Sequence, residues 1–149
     1  MAQTPVVDTG LILEGGCIEV DRQGTGIIME RCVLNKNRKP EVSEDQFEDE
    51  IMPLLGLEKI IWLPGIRVVD ITDSHTDFYA RFAEPGDVLV GLDPDPESYD
   101  REVTLRHLEI LQGATDARGQ KPEVTILEAP TNFRETYAND EFAAGYIGF

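Results

Sequence analysis

Residues 59–64, Lys-Ile-Ile-Trp-Leu-Pro, form a short apolar run closed by a proline, which is the pattern of a buried strand. A second such run, Val-Thr-Ile-Leu at residues 124–127, precedes Pro130. Each run follows the same order of patterns, two strand-like segments and then a helix. We therefore predict an α/β fold built of about two repeated ββαβ modules.

The repeat divides the chain into three parts. The first module covers residues 10–64, the second covers residues 69–130, and residues 131–149 have the pattern of the start of a third. A length of 149 residues is that of one domain and is long enough to bury a hydrophobic core. We predict a single partial domain that stops within its third module.

The first module opens with a strand pattern over residues 10–20, interrupted by Gly15 and Gly16. Glycines in a strand mark a bulge or a point where another group approaches the backbone closely. Glu14, directly before them, is either a solvated strand end or a carboxylate of a site. Residues 21–24, Asp-Arg-Gln-Gly, have the composition of a turn that leads into the return strand.

Local signals also predict the two helices. Ser43 and Gln46 fit a capping box that starts the first helix, and Gly56 is placed to end it. Ser98 is the predicted cap of the second helix, on which His107 is expected to lie at the surface or in an interface. The apolar faces are predicted to be Phe47, Ile51 and Leu54 in the first helix and Val103, Leu105, Leu108 and Leu111 in the second.

Charge and composition restrict the partners. The chain has 13 basic and 29 acidic side chains, for a net charge of −16, which repels nucleic acids and anionic membranes and attracts small cations. No apolar stretch has the length of a membrane span, and the first residues lack the features of a signal peptide, so we expect a cytoplasmic protein. No metal constellation and no phosphate-binding loop is recognisable, and no cofactor is expected.

Residues 69–82, Val-Asp-Ile-Thr-Asp-Ser-His-Thr-Asp-Phe-Tyr-Ala-Arg-Phe, concentrate groups that carry acid–base chemistry. His75 stands among Asp70, Asp73 and Asp77, and an imidazole beside a carboxylate can hold and pass a proton. The same residues also fit a polar loop whose aspartates cap turns, so their spacing leaves both interpretations open. The two cysteines, Cys17 and Cys32, form no disulfide framework by count and are expected to be packed thiols.

Three stretches together resemble the agmatine deiminases and bacterial peptidylarginine deiminases of the guanidino-group-modifying pentein superfamily. Residues 13–21, Leu-Glu-Gly-Gly-Cys-Ile-Glu-Val-Asp, are similar to the family run L-E-G-G-S-I-x-V-D. Residues 30–40 are similar to its C-L-L-N-x-N-R-N-P run, and residues 70–77 to its D-x-T-D-G-H-x-D run. The match covers essentially all of this chain but less than half of a family member.

The resemblance implies a fold and a reaction. The fold is an α/β propeller of ββαβ modules, and the reaction converts agmatine and water to N-carbamoylputrescine and ammonia, a step in putrescine and polyamine biosynthesis. His75 and Asp77 fall on catalytic positions, while Glu14 and Asp73 fall on positions that line the substrate pocket. If their segment is a strand, His75 and Asp77 share a face because side chains alternate.

The chain also departs from the family pattern. The nucleophilic cysteine of the family belongs to a module beyond residue 149, and Ser74 replaces a glycine of the motif. An inactive fragment of the enzyme is therefore expected, with agmatine, arginine and peptidyl-arginine all open as substrates. The alternatives are a guanidinium-binding or assembly module, whose apolar end at residues 146–149 would pair two copies, and a remnant without a function.

Overall fold

A computed structural model describes residues 6–35, 42–65, 75–98 and 100–129 of the chain. The elements of the first half are a short 3-10 helix η1 (Gly15–Cys17), strands β1 (Ile18–Val20) and β2 (Thr25–Met29), helices α1 (Glu30–Val33) and α2 (Glu44–Leu55), and strand β3 (Lys59–Leu63). Those of the second half are the 3-10 helix η2 (Thr76–Phe78), strands β4 (Ala80–Glu84) and β5 (Asp87–Leu92), helix α3 (Arg101–Gly113) and strand β6 (Glu123–Glu128). The α/β class and the order strand–strand–helix–strand in each half are confirmed.

Both halves have the same sheet topology. Each forms a three-stranded mixed sheet in the order β1-β2-β3 or β4-β5-β6, with the first pair antiparallel and the second pair parallel. The parallel pair follows from the helix between its strands, because a crossover connection returns the chain in the same direction. All of β2 is buried at the centre of its sheet, as expected of a central strand.

The predicted hairpin turn is present, but the strand before it is shorter than expected. One carboxylate oxygen of Asp21 accepts hydrogen bonds from the backbone N–H groups of Gln23 and Thr25, and Gly24 has a φ of 101°. The predicted strand over residues 10–20 is wrong in its first part, because residues 15–17 turn as η1 and only Ile18–Val20 pairs with β2. The glycine pair therefore begins a turn, which redirects the chain after Glu14.

Helix α2 begins and ends where the sequence predicts. Ser43 forms the complete capping box with Gln46, and Gly56 closes the helix in the left-handed conformation at φ 67°. Pro53 lies in the last turn without ending the helix before Leu55. Phe47 and Ile51 are buried as predicted, whereas the expectation for Leu54 is wrong, since it remains 41% exposed.

Helix α3 departs further from its prediction. Its N-cap is Asp100, while the Ser98 hydroxyl accepts a hydrogen bond from the Asp100 backbone N–H in the turn before it. Leu111 is buried, but Leu105 is 43% exposed. Of the two positions expected for His107, the surface is wrong, because the side chain is fully buried. Its Nε2–H donates to the Pro64 carbonyl of the first half at 2.6 Å, and its ring meets Tyr79 edge-on.

We expect the burial of His107 to make the protein less stable in acid. Burial lowers the pKa of His107 from 6.5 to about 4, and the hydrogen bond to Pro64 only partly offsets this. Between these two pH values His107 binds a proton in the unfolded chain but stays neutral in the folded chain. The free energy of unfolding therefore falls as the pH drops from 6.5 towards 4. At 1.4 kcal/mol per pKa unit, the full loss is about 3 kcal/mol.

Urea denaturation at several pH values between 7 and 4 measures this loss, with His107→Gln as the control. Glutamine can donate to the Pro64 carbonyl but does not titrate, so the acid-dependent loss in the variant should be smaller by about 3 kcal/mol. Carboxylates that titrate in the same range are present in both proteins and cancel. Parallel stability curves for the two proteins would contradict the prediction.

The two halves share a single hydrophobic core. Buried residues of both sheets and of α2 and α3 form one cluster, which includes Ile27, Phe47, Leu63, Val88 and Leu111. Polar contacts also join the halves, as Arg81 on β4 pairs with Glu19 on β1 at 3.2 Å. Among the described residues, no helix is both long enough and apolar enough to cross a membrane.

Candidate active site

Glu14, His75 and Asp77 lie together at the junction of the two halves. The His75 Nε2 and Glu14 Oε2 atoms are 2.5 Å apart, although 61 positions separate the residues along the chain. On the other side of the ring, Nδ1 lies 3.9 Å from Oδ1 of Asp77. The imidazole is thus held between two carboxylates, an arrangement that can hold and orient a proton.

A 3-10 helix brings His75 and Asp77 to the same place. The prediction that they share the face of a strand is wrong, because Thr76–Phe78 forms η2 and His75 is its N-cap residue. The tight turn folds Asp77 back towards the imidazole of His75. The His75 ring also stacks on Phe78, with centroids 6.1 Å apart, which helps to fix its plane.

Thr76 is a positioning residue that the sequence did not reveal. Its hydroxyl donates to the Cys17 carbonyl at 2.5 Å and accepts from the Met29 backbone N–H at 3.1 Å. The side chain is fully buried and ties η2 to both η1 and β2. Only the place of Thr76 between a histidine and an aspartate could have indicated this role.

The absence of a side chain at Gly16 leaves space for the side chains of His75 and Asp77. A Cβ atom built on Gly16 would lie 2.5 Å from Nδ1 of His75, 2.8 Å from Oδ1 of Asp77 and 3.0 Å from its Oδ2. Nothing lies within 4 Å of a Cβ built on Gly15. The predicted close approach to the glycine pair is therefore confirmed at Gly16 alone, and the approaching groups are His75 and Asp77.

The cluster is acidic and partly open to solvent. The Glu14 side chain is 51% exposed, Asp77 33% and His75 17%. Oδ1 of Asp77 is buried and has no hydrogen-bond partner among the described residues. Burial raises the pKa of the neighbouring Glu19, Arg81 opposes this rise, and the charge of Asp77 adds to it. A buried carboxylate oxygen beside other acids favours a cationic hydrogen-bond donor.

The expectation that Cys17 and Cys32 are separate thiols is wrong. Both are fully buried as predicted, but they are joined by a disulfide instead of being separate thiols. Their Cα atoms are 5.7 Å apart, which lies within the usual range for a disulfide. The turn at η1 and helix α1 bring them together, which a spacing of fifteen residues could not reveal.

The structure also brings His75 to the cysteine pair. One ligand atom each from Cys17, Cys32 and His75 lie within 4.8 Å of one another. The sequence predicted no metal constellation, because the histidine is far from both cysteines along the chain. Asp73, the other predicted pocket residue, lies outside the described residues together with Asp70 and Ser74.

The fold belongs with that of the deiminases. It matches an agmatine deiminase of Enterococcus faecalis with a TM-score of 0.80 and 30% identity, covering 95% of this chain and 38% of that one. A C. jejuni agmatine deiminase matches with a TM-score of 0.72 and 29% identity, covering 87% of this chain and 37% of that one. The profile of the Porphyromonas-type peptidyl-arginine deiminases matches residues 1–149. The chain belongs to this family.

Curated relatives agree with this assignment. The agmatine deiminase of Medicago truncatula is 39% identical over 142 residues, which are 95% of this chain and 37% of the relative. That of Pseudomonas fluorescens is 36% identical over 136 residues, which are 91% of this chain and 36% of the relative. The chain therefore spans well under half the length of these relatives.

Proposed function

We propose that this chain carries the guanidinium-holding and proton-transferring part of an agmatine deiminase site. The reaction is the hydrolysis of agmatine to N-carbamoylputrescine and ammonia. The observation that supports this best is the imidazole of His75 between Glu14 and Asp77, in a chain of the deiminase family. We further propose that the two ββαβ units are adjacent blades of an α/β propeller, and that Asp73 completes the rim of the pocket.

The carboxylates hold the substrate. A guanidinium group presents several N–H donors in one plane, and a carboxylate can accept two of them in charge-assisted hydrogen bonds. Oδ1 of Asp77 is buried without a hydrogen-bond partner among the described residues, so a bound guanidinium would satisfy it. Glu14, which is more exposed, closes the opposite side of the imidazole and adds to the attraction for a cation.

His75 moves the protons. After a thiolate attacks the guanidinium carbon, the protonated imidazole gives its proton to the departing ammonia. The neutral imidazole then takes a proton from the water that attacks the thiouronium-type intermediate, and carbamoylputrescine leaves as the thiolate reforms. Glu14 holds Nε2 and fixes the plane of the ring throughout both steps.

The nucleophile is not supplied by the described residues. Both cysteines are joined in a disulfide, so neither offers a thiolate. We therefore propose that this chain alone binds agmatine without releasing ammonia, and that a thiol from outside these residues completes the reaction. Binding without turnover is also what a pure guanidinium-binding module would do, and the cysteine pair favours that role for the isolated chain.

Agmatine binding by the isolated chain tests the proposal, with Asp77→Asn as the decisive variant. The substitution removes the negative charge that a guanidinium pairs with, and a hydrogen bond to a charged group contributes about 1.5–3 kcal/mol. We expect agmatine affinity, followed by calorimetry or by NMR of the His75 ring, to fall roughly 10- to 100-fold.

Two controls separate guanidinium recognition from general charge. Asp95→Asn makes the same chemical change at an exposed turn and should leave agmatine affinity unchanged. Putrescine, which keeps the amine but lacks the guanidinium, should bind wild type more weakly than agmatine. Equal affinity for both ligands, or equal loss in both variants, would contradict the proposal. Ammonia release that survives replacement of both cysteines by serine would contradict the claim that the isolated chain lacks the nucleophile.

A further inference from the structure

We propose that Cys17, Cys32 and His75 form a binding site for a thiophilic divalent cation such as Zn²⁺ once the disulfide is reduced. Ligand atoms of the three residues lie within 4.8 Å of one another, which is close enough for small rotations of the side chains to place them around one ion. Both sulfur atoms belong to fully buried residues, and the imidazole is mostly buried. The site can bind the cation only when the disulfide is reduced.

The donor set selects the metal. Two thiolates and one imidazole are typical ligands of Zn²⁺, and the soft sulfur atoms disfavour Mg²⁺ and Ca²⁺, which prefer oxygen. Three protein ligands leave the fourth position of a tetrahedral ion to water. The two cysteine Cα atoms are 5.7 Å apart, so both sulfur atoms can reach the same ion.

The two ring nitrogens of His75 have different neighbours. Nε2 is engaged by Glu14 Oε2, whereas Nδ1 faces Gly16, the residue directly before Cys17. Histidines that bind metals through one ring nitrogen usually donate the other N–H to a carboxylate, which fixes the tautomer. Glu14 supplies that carboxylate. Thr76 holds the backbone of Cys17 in place by its hydrogen bond to the Cys17 carbonyl.

Metal and disulfide exclude each other. Cleaving the S–S bond takes two electrons and two protons, which two molecules of a thiol reductant such as glutathione supply as they form their own disulfide. Binding of the ion then releases the two thiol protons, because thiolates are the ligands. A bound ion would occupy the imidazole used for agmatine, so the two ligands should compete; this consequence alone rests on the proposed function.

Cobalt substitution tests the site in the full chain. After anaerobic reduction with a phosphine, Co²⁺ should bind at one ion per chain with thiolate charge-transfer absorption and the intense visible bands of tetrahedral cobalt, and Zn²⁺ should displace it. Cys17→Ser, Cys32→Ser and His75→Gln should each weaken Co²⁺ binding by on the order of 100-fold. Glu14→Gln, which loses only the outer partner, should weaken it about 10-fold.

Two controls keep the metal test specific. The oxidised protein should not bind Co²⁺ with these bands, and His107→Gln, which changes the other histidine, should bind like wild type. Weak octahedral spectra that are the same in every variant, or equal binding by oxidised and reduced protein, would overturn the proposal. Failure of agmatine to bind would leave these spectra unchanged, so the two proposals fail separately.

Thiol protection provides a second measurement if a serine variant does not fold. In reduced wild type, Zn²⁺ should slow the alkylation of Cys17 and Cys32 by iodoacetamide, and a chelator should restore the original rate. The reduced protein without metal provides the reference for burial alone. Alkylation at the same rate with and without Zn²⁺ would overturn the proposal.

Discussion

Gly16→Ala is expected to abolish agmatine binding while leaving the fold intact. The new Cβ would lie 2.5 Å from His75 Nδ1 and within 3.0 Å of both carboxylate oxygens of Asp77, closer than real Cβ contacts allow. All the displaced atoms belong to the two side chains, so these must rotate away. The loss of two charge-assisted hydrogen bonds corresponds to a decrease in affinity on the order of 100-fold or more.

Gly15→Ala is a matched control one position away. It adds the same methyl group to the same turn, where nothing lies within 4 Å, so its agmatine affinity should equal that of wild type. Urea denaturation should give both variants unfolding free energies within about 1–2 kcal/mol of wild type. Equal agmatine binding by the two variants would contradict the role of Gly16, as would global unfolding of Gly16→Ala alone.

The parts of the fold that the sequence predicted depend on local signals. The capping box of Ser43 and Gln46, the left-handed Gly56 and the turn after Asp21 each act over at most four residues. Strand β3 was also predicted from a local signal, an apolar run that ends directly before Pro64. Such signals act within a few residues and need no knowledge of the rest of the chain.

Several of the wrong predictions concern contacts between distant residues. His107 was expected at the surface or in an interface because Arg106 stands beside it, although it lies four positions from both Val103 and Leu111 on the helix. The partners that hold its ring, Pro64 and Tyr79, belong to other elements. The cysteine pair likewise depends on η1 turning back towards α1. Thr76 bonds to residues 47 and 59 positions away, and no spacing rule connects them.

The candidate site could be predicted from the sequence only in part. The local pattern of His75 and Asp77 indicated acid–base chemistry but fitted a capped loop equally well. Glu14 lies 61 positions from His75, and of the arguments from the sequence only the family resemblance placed both residues in one site. The strand assumed for residues 75–77 was wrong, yet both residues still meet because a 3-10 turn folds one towards the other.

Thr76→Val is expected to destabilise the fold by about 4 kcal/mol. Valine keeps the shape of threonine but removes the hydroxyl, which leaves the Met29 N–H and the Cys17 carbonyl without this partner in a fully buried position. A buried polar group that loses its partner costs about 1–3 kcal/mol, and two such groups are affected. This is a large share of the 5–15 kcal/mol typical of a whole domain.

Thr76→Ser separates the hydroxyl from the methyl group. Serine retains both hydrogen bonds and loses only one methyl, so its unfolding free energy should fall by about 1 kcal/mol. Urea denaturation of the oxidised proteins gives the comparison. Because the Thr76 hydroxyl links η2 to both η1 and β2, the valine variant should also release His75 from Glu14 and weaken agmatine binding, which serine should preserve. If valine and serine lower stability equally, the methyl group and not the hydroxyl holds η2 in place.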